Sequence, residues 1–199
     1  MKLTNQSIGN VLKVFLIIAL ITGGINLIST FIFTYFYYEM YIEIASLDRV
    51  VVVVDILIWY VACILFLIWI FKVHADLKKI NPEYRISPGG SLARILIPFY
   101  NIYGDWSVFS TMADYFKEQN TIRNIGKRLA LMIPFFYILL FGTQLLNRSI
   151  LSGLTTSDQM LLLTVLAELL LVVVCFVMAQ NILNALPNLE PEQAQEKIS

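Results

Sequence analysis

The sequence predicts an all-α membrane protein, with four transmembrane helices and an amphipathic, cytoplasmic-side segment between the second and third. Three observations predict it. Of 199 residues, 58% are hydrophobic and only 14% are charged, whereas an ordinary soluble domain is nearer half apolar and a quarter charged. The apolar excess is gathered into four runs of about twenty residues, the length a helix needs to cross ~30 Å of hydrocarbon at ~1.5 Å per residue. Nine of the fourteen basic residues fall between Lys72, at the close of the second run, and Arg128, just before the third.

The first run covers about 11–38, interrupted by Lys13 and a polar middle. It exceeds a signal-peptide core and is not followed by a small-residue cleavage site, so it reads as an uncleaved membrane helix. Thr22, Gly23, Asn26, Ser29 and Thr30 share one side at helical spacing. Small residues let helix backbones approach closely in lipid, so this is a packing face, or else a ligand-lining one. The aromatic close, Phe31 to Tyr38, suits the headgroup level. An acidic connection, Glu39–Arg49, leads to the second run at about 50–73, which ends abruptly in Lys72, His74, Asp76, Lys78 and Lys79.

The central segment then carries turn signals at Asn81-Pro82 and Ser87-Pro88-Gly89-Gly90. Over about 91–116 the residues Leu92, Ile95, Phe99, Ile102, Trp106, Phe109, Ala113 and Phe116 form one helical stripe. Arg94, Asn101, Asp105, Ser107, Thr111 and Asp114 fall on the other side. Pro98 and Gly104 argue for two helical pieces. The segment is too polar to span, so it is expected to lie in the interfacial plane or to dip in and return. The same stripe would arise if it packed on the protein's own helices.

The third run is about 129–146, with Pro134 near its start, and the fourth about 160–183. The polar tail at about 187–199 is expected to be disordered. The whole chain, 1–199, reads as a single four-helix membrane domain. The connections after runs one and three hold one basic residue each, Arg49 and Arg148. Basic residues are retained on the cytoplasmic side, which places the central segment and both termini there.

Two carboxylates sit inside apolar runs, Glu168 near the middle of the fourth and Asp55 near the start of the second. Charge within a bilayer is costly and needs a partner. The candidates are Arg148, Gln144 and Asn26. Cys63 and Cys175 lie within runs and read as buried small hydrophobes. The lone histidine, His74, reads as an interfacial side chain. No metal site, nucleophile elbow or phosphate-cradling loop is present in the sequence, so no cofactor and no enzymatic activity are expected. Balanced charge, fourteen basic against fourteen acidic residues, gives no sign of a nucleic-acid partner.

Trp69 and Lys72, Asp76-Leu77, Ser87-Pro88-Gly89, Ile97-Pro98 with Asn101, then Trp106 and Met112 resemble the pattern of a bacterial membrane family, domain of unknown function 4328. Lys72 stands where that pattern has Arg, and Asp76 where it has Asn. The resemblance covers residues 69–116 and implies a multi-pass protein of a bacterial cell membrane, without implying a reaction.

The reading that follows is a non-enzymatic membrane component. It binds anionic lipid or a protein partner, which a second copy of the chain could supply. Lys78, Lys79, Arg85 and Arg94 are the cationic contacts, with Phe99, Trp106 and Phe109 as anchors. Two alternatives stand beside it: an ion or small-solute conduit using Glu168 and Asp55, with Asn26 and Gln144 as further intramembrane polar groups, and an immunity or toxin-resistance protein.

Overall fold

The computed structural model describes residues 4–36, 38–97, 101–153 and 157–196. Among them there is no strand. The elements are α1 (Asn5–Tyr35), α2 (Tyr38–Ile80), α3 (Pro88–Leu96), α4 (Asn101–Glu118), α5 (Arg123–Leu151) and α6 (Asp158–Glu196). Four of them, α1, α2, α5 and α6, are long and apolar enough to cross a membrane.

Every long helix overruns its apolar stretch. α1 starts at Asn5 because its first turn finds an acceptor outside itself. The Thr4 and Asn5 amides donate to Asp76 Oδ2 at 2.8 and 3.0 Å, the Thr4 hydroxyl donates to Oδ1 at 2.9 Å, and Asn5 Nδ2 donates to Oδ2 at 2.7 Å. The opening amides of a helix have no acceptor within it, and a carboxylate there also opposes the helix dipole. α2 begins at Tyr38, so the residues expected to form a connection, 39–49, belong to the helix. The tail expected to be disordered instead continues α6 to Glu196, with 197–199 outside the described residues. Ile182, Ala185, Leu186 and Leu189 are fully buried, and this packed stripe carries the helix past Pro187.

Pairings along the bundle show antiparallel neighbours. Asn5 meets Asp76 and Thr22 meets Asp55 along α1 and α2. The backbone of Gly9 lies against Leu183 and that of Gly23 against Leu169 along α1 and α6. Asn147 meets Glu168 between α5 and α6. Lys13, the charge within the first run, sits 5.9 Å above the Phe176 ring. Ser29 and Thr30 are buried, so the small-residue side of α1 is a packing face.

Packing runs α2–α1–α6–α5, and the pair α3–α4 closes the circuit from α5 back to α2. The pair is a helical hairpin. Ser87 caps α3, accepting from the Gly90 amide at 3.1 Å, with Pro88 in the first turn. α4 then returns alongside α3. Gly104 makes the approach possible, since a Cβ there would overlap the Arg94 carbonyl. Gly104 is therefore a contact point within α4; α3 ends at Leu96 and α4 starts at Asn101, and Pro98 lies outside the described residues.

α4 does not lie across the helix ends. It stands beside the first half of α5. Gly126 abuts Ala113 and Lys117, Phe109 meets Phe136 at 5.4 Å, and Trp106 meets Tyr137 at 5.7 Å. Tyr137 is fourteen residues into α5, so the hairpin reaches ~20 Å along its neighbour. The packing of the stripe on the protein's own helices, which the sequence also allowed, is the arrangement adopted within the bundle. The apolar stripe faces the protein's own helices, with Phe109, Ala113 and Phe116 at 2%, 0% and 0% exposure.

Candidate functional site at the hairpin end

The end that holds the hairpin concentrates the polar chemistry, and most of it is used internally. Asp76 is fully buried and takes a further contact from Lys79 Nζ at 3.4 Å. Lys78 Nζ donates to the Tyr84 carbonyl at 2.7 Å, anchoring the turn after α2. Arg94 Nη1 donates to Ser107 Oγ at 2.8 Å, tying α3 to α4. Lys78 and Arg94 thus bond within the fold, whereas Lys79 is exposed and touches Asp76 only within its own helix. Arg85 is exposed and has no ion pair among the described residues.

The expected anchors divide similarly. Phe109 is not available to lipid or a partner: it lies between Phe66, 6.2 Å away, and Phe136. Trp106 keeps 37% of its surface exposed and stacks edge-on against Tyr137. Phe99 lies outside the described residues.

His74 does not lie at the surface as expected. It is fully buried, and neither ring nitrogen has a hydrogen-bond partner. Its ring sits 5.6 Å from that of Tyr84, which sits 5.3 Å from Tyr115. The Tyr84 hydroxyl is likewise buried without a partner. Burial raises its pKa first, Tyr115 adds to the effect, and Arg94 opposes it. Above this aromatic floor opens a basin of about 540 Å³, lined by Asn81, Glu83, Tyr84 and Arg85 from the turn and by Thr111, Asp114, Tyr115, Lys117 and Glu118 from α4. Sequence alone could not bring these groups together, because the turn's placement on α4 depends on the hairpin.

Asp105 is the other buried group of this end, at 6% exposure. Burial pushes its carboxyl up to about 6. It was expected on the polar side of the stripe, where Asp114 is exposed and Asp105 is not.

At the far end the two intramembrane carboxylates find different partners from those expected. Thr22 Oγ1 donates to Asp55, and Asn147 Nδ2 donates to Glu168 at 2.8 Å. Glu168 does not bond Gln144 or Asn26, and Arg148 bonds neither acid. Both cysteines are free: Cys63 lies on the exposed surface of α2 instead of being buried, and Cys175 is half-buried. Among the described residues no group of three or more His, Cys, Asp or Glu is placed to hold a metal. No family model, curated protein or solved structure matches this chain.

Proposed function

We propose that the chain is a non-enzymatic, multi-pass component of a bacterial cell membrane that binds anionic lipid through its hairpin end, with both termini and that end cytoplasmic. The observation that carries the reading is where the uncommitted cations are. Arg85, Arg123, Lys127 and Arg128 are all exposed, and all lie at this end. Each Lys or Arg near an anionic surface contributes about 1 kcal/mol. The contact set therefore shifts from that read in the sequence: Arg85 and the exposed Lys79 stay, Lys78 and Arg94 bond within the fold, and the start of α5 supplies the rest. Trp106 remains an anchor. The resemblance to domain of unknown function 4328 over residues 69–116 supports the bacterial, multi-pass part of the reading.

The test is to replace Arg85, Arg123, Lys127 and Arg128 by Gln together and to measure anionic lipid retained by the purified protein. The expected result is a several-fold loss with thermal stability unchanged. Retention equal to that of the parent chain overturns the reading. Orientation is tested separately by placing a single cysteine at Arg85 in a chain lacking Cys63 and Cys175. Protection from an impermeant label in intact cells is expected, and labelling from outside reverses the topology.

A second reading, the conduit, is supported by the level of Asp55 and Glu168. The Gly23–Leu169 contact puts Thr22 with Asp55, and Asn147 with Glu168, at one height in the bundle, each carboxylate with one neutral donor. Ion flux in reconstituted vesicles that Glu168→Gln abolishes would establish it, and unchanged flux would end it.

A further inference from the structure

We propose that the basin between the 81–85 turn and the C-terminal half of α4 is a headgroup site for a zwitterionic phospholipid bearing a primary ammonium. Its phosphate would lie against Arg85 and its ammonium against Glu83 and Glu118. The inference rests on the lipid-binding reading above and names a second lipid class for the same end.

Three features carry it. The basin encloses about 540 Å³, within the ~300–1,000 Å³ of ordinary ligand pockets. Its charged lining is of both signs: Glu83, Asp114 and Glu118 against Arg85 and Lys117. Asp114 is engaged by Lys117 at 3.0 Å, whereas Glu83, Glu118 and Arg85 have no ion pair among the described residues. A ligand with one negative and one positive centre satisfies such a lining, and a purely anionic headgroup meets two free carboxylates.

The height of the basin points to a lipid. Tyr84 stacks on His74, directly after the apolar run of α2 ends at Val73. Across the basin, the 113–117 part of α4 abuts Gly126, just before the apolar run of α5 begins at Leu129. Both neighbours put the basin where hydrocarbon gives way to headgroups.

The experiment uses the full chain purified in mild detergent and exchanged into mixed lipid of equal phosphatidylethanolamine, phosphatidylcholine and phosphatidylglycerol. The lipid that stays bound is measured by native mass spectrometry. Ethanolamine lipid is expected to be enriched over choline lipid, whose quaternary nitrogen has no N–H to donate. Glu83→Gln with Glu118→Gln is expected to remove that enrichment, by about tenfold if one charge-assisted bond is lost. Phosphatidylglycerol retention should stay the same. Both substituted residues are exposed, and an unchanged melting temperature checks that the variant folds. Equal retention of ethanolamine and choline lipid overturns the inference. Retention of phosphatidylglycerol alone overturns it while leaving the anionic-lipid reading intact, and retention of none overturns both. Free phosphoethanolamine displacing the lipid at comparable concentration would assign the basin to a soluble ligand and overturn the lipid assignment.

Discussion

The two ends of this bundle are built on different terms. At the hairpin end, Asp76 accepts from two amides, a hydroxyl and a side-chain amide, Arg94 joins α3 to α4, and the circuit of helices is closed. At the far end no hairpin lies between α2 and α5, and each carboxylate has one neutral donor. The half of α2 away from the hairpin is correspondingly bare: Val50, Val53, Leu57, Tyr60 and Ile64 are all exposed. Apolar surface drives little association between helices in lipid, where tails are as apolar as the side chains. The difference teaches that cohesion in this chain comes from polar bonds and close backbone contacts, and that these are spent at one end.

Four substitutions test that asymmetry, from the largest expected effect to the smallest. Gly104→Val should be the most damaging, because the added branch meets the Arg94 backbone and cannot be relieved by a rotamer change. Loss of the monodisperse peak in size-exclusion chromatography is expected, and a normal peak would mean that the hairpin is not packed as described. Asp76→Ala should cost about 3 kcal/mol, since it strands buried donors at the start of α1. Asp76→Asn keeps an acceptor and should recover a good part, both read from thermal unfolding in detergent.

Asp105→Asn should act in the opposite direction. With its carboxyl held up to about 6 against an ordinary 3.8, the folded state binds the proton more tightly than the unfolded one. The benefit is complete below about pH 4 and is lost as pH rises through about 6. The parent chain should lose about 2 kcal/mol across that window, and the Asn variant should lack this slope and be the more stable at pH 7. Parallel profiles for the two chains would place Asp105 in contact with water. The mildest change is Thr22→Val at the far end, which removes a single bond to Asp55. Its cost should be below about 1 kcal/mol, and a cost equal to that of Asp76→Ala would erase the distinction between the ends.

The helices of this fold were legible wherever a single segment decides its own state. Run length identified the four long helices, and the segment read as two helical pieces is α3 and α4. What was not legible was decided by partners distant in sequence. α1 begins at Asn5 through a residue 71 positions away. α6 continues through Pro187 because Leu186 and Leu189 are covered. The stripe containing Phe109 was visible, but periodicity gives a face without naming what it meets, and here it meets Phe66 and Phe136. The acids Asp55 and Glu168 were recognised as needing partners. Helical spacing could not select Thr22 over Asn26, or Asn147 over Gln144, since each choice depends on how neighbouring helices slide past one another. His74 and Tyr84 carried no such signal at all.

The closure of α1 by Asp76 has a consequence for biosynthesis. A ribosome adds ~5–20 residues per second, so the acceptor for the first turn is polymerised several seconds after that turn. Until then only water can satisfy the amides of Thr4 and Asn5. The first turn of α1 exchanges that water for a protein acceptor only once all of α2 up to Asp76 has been made.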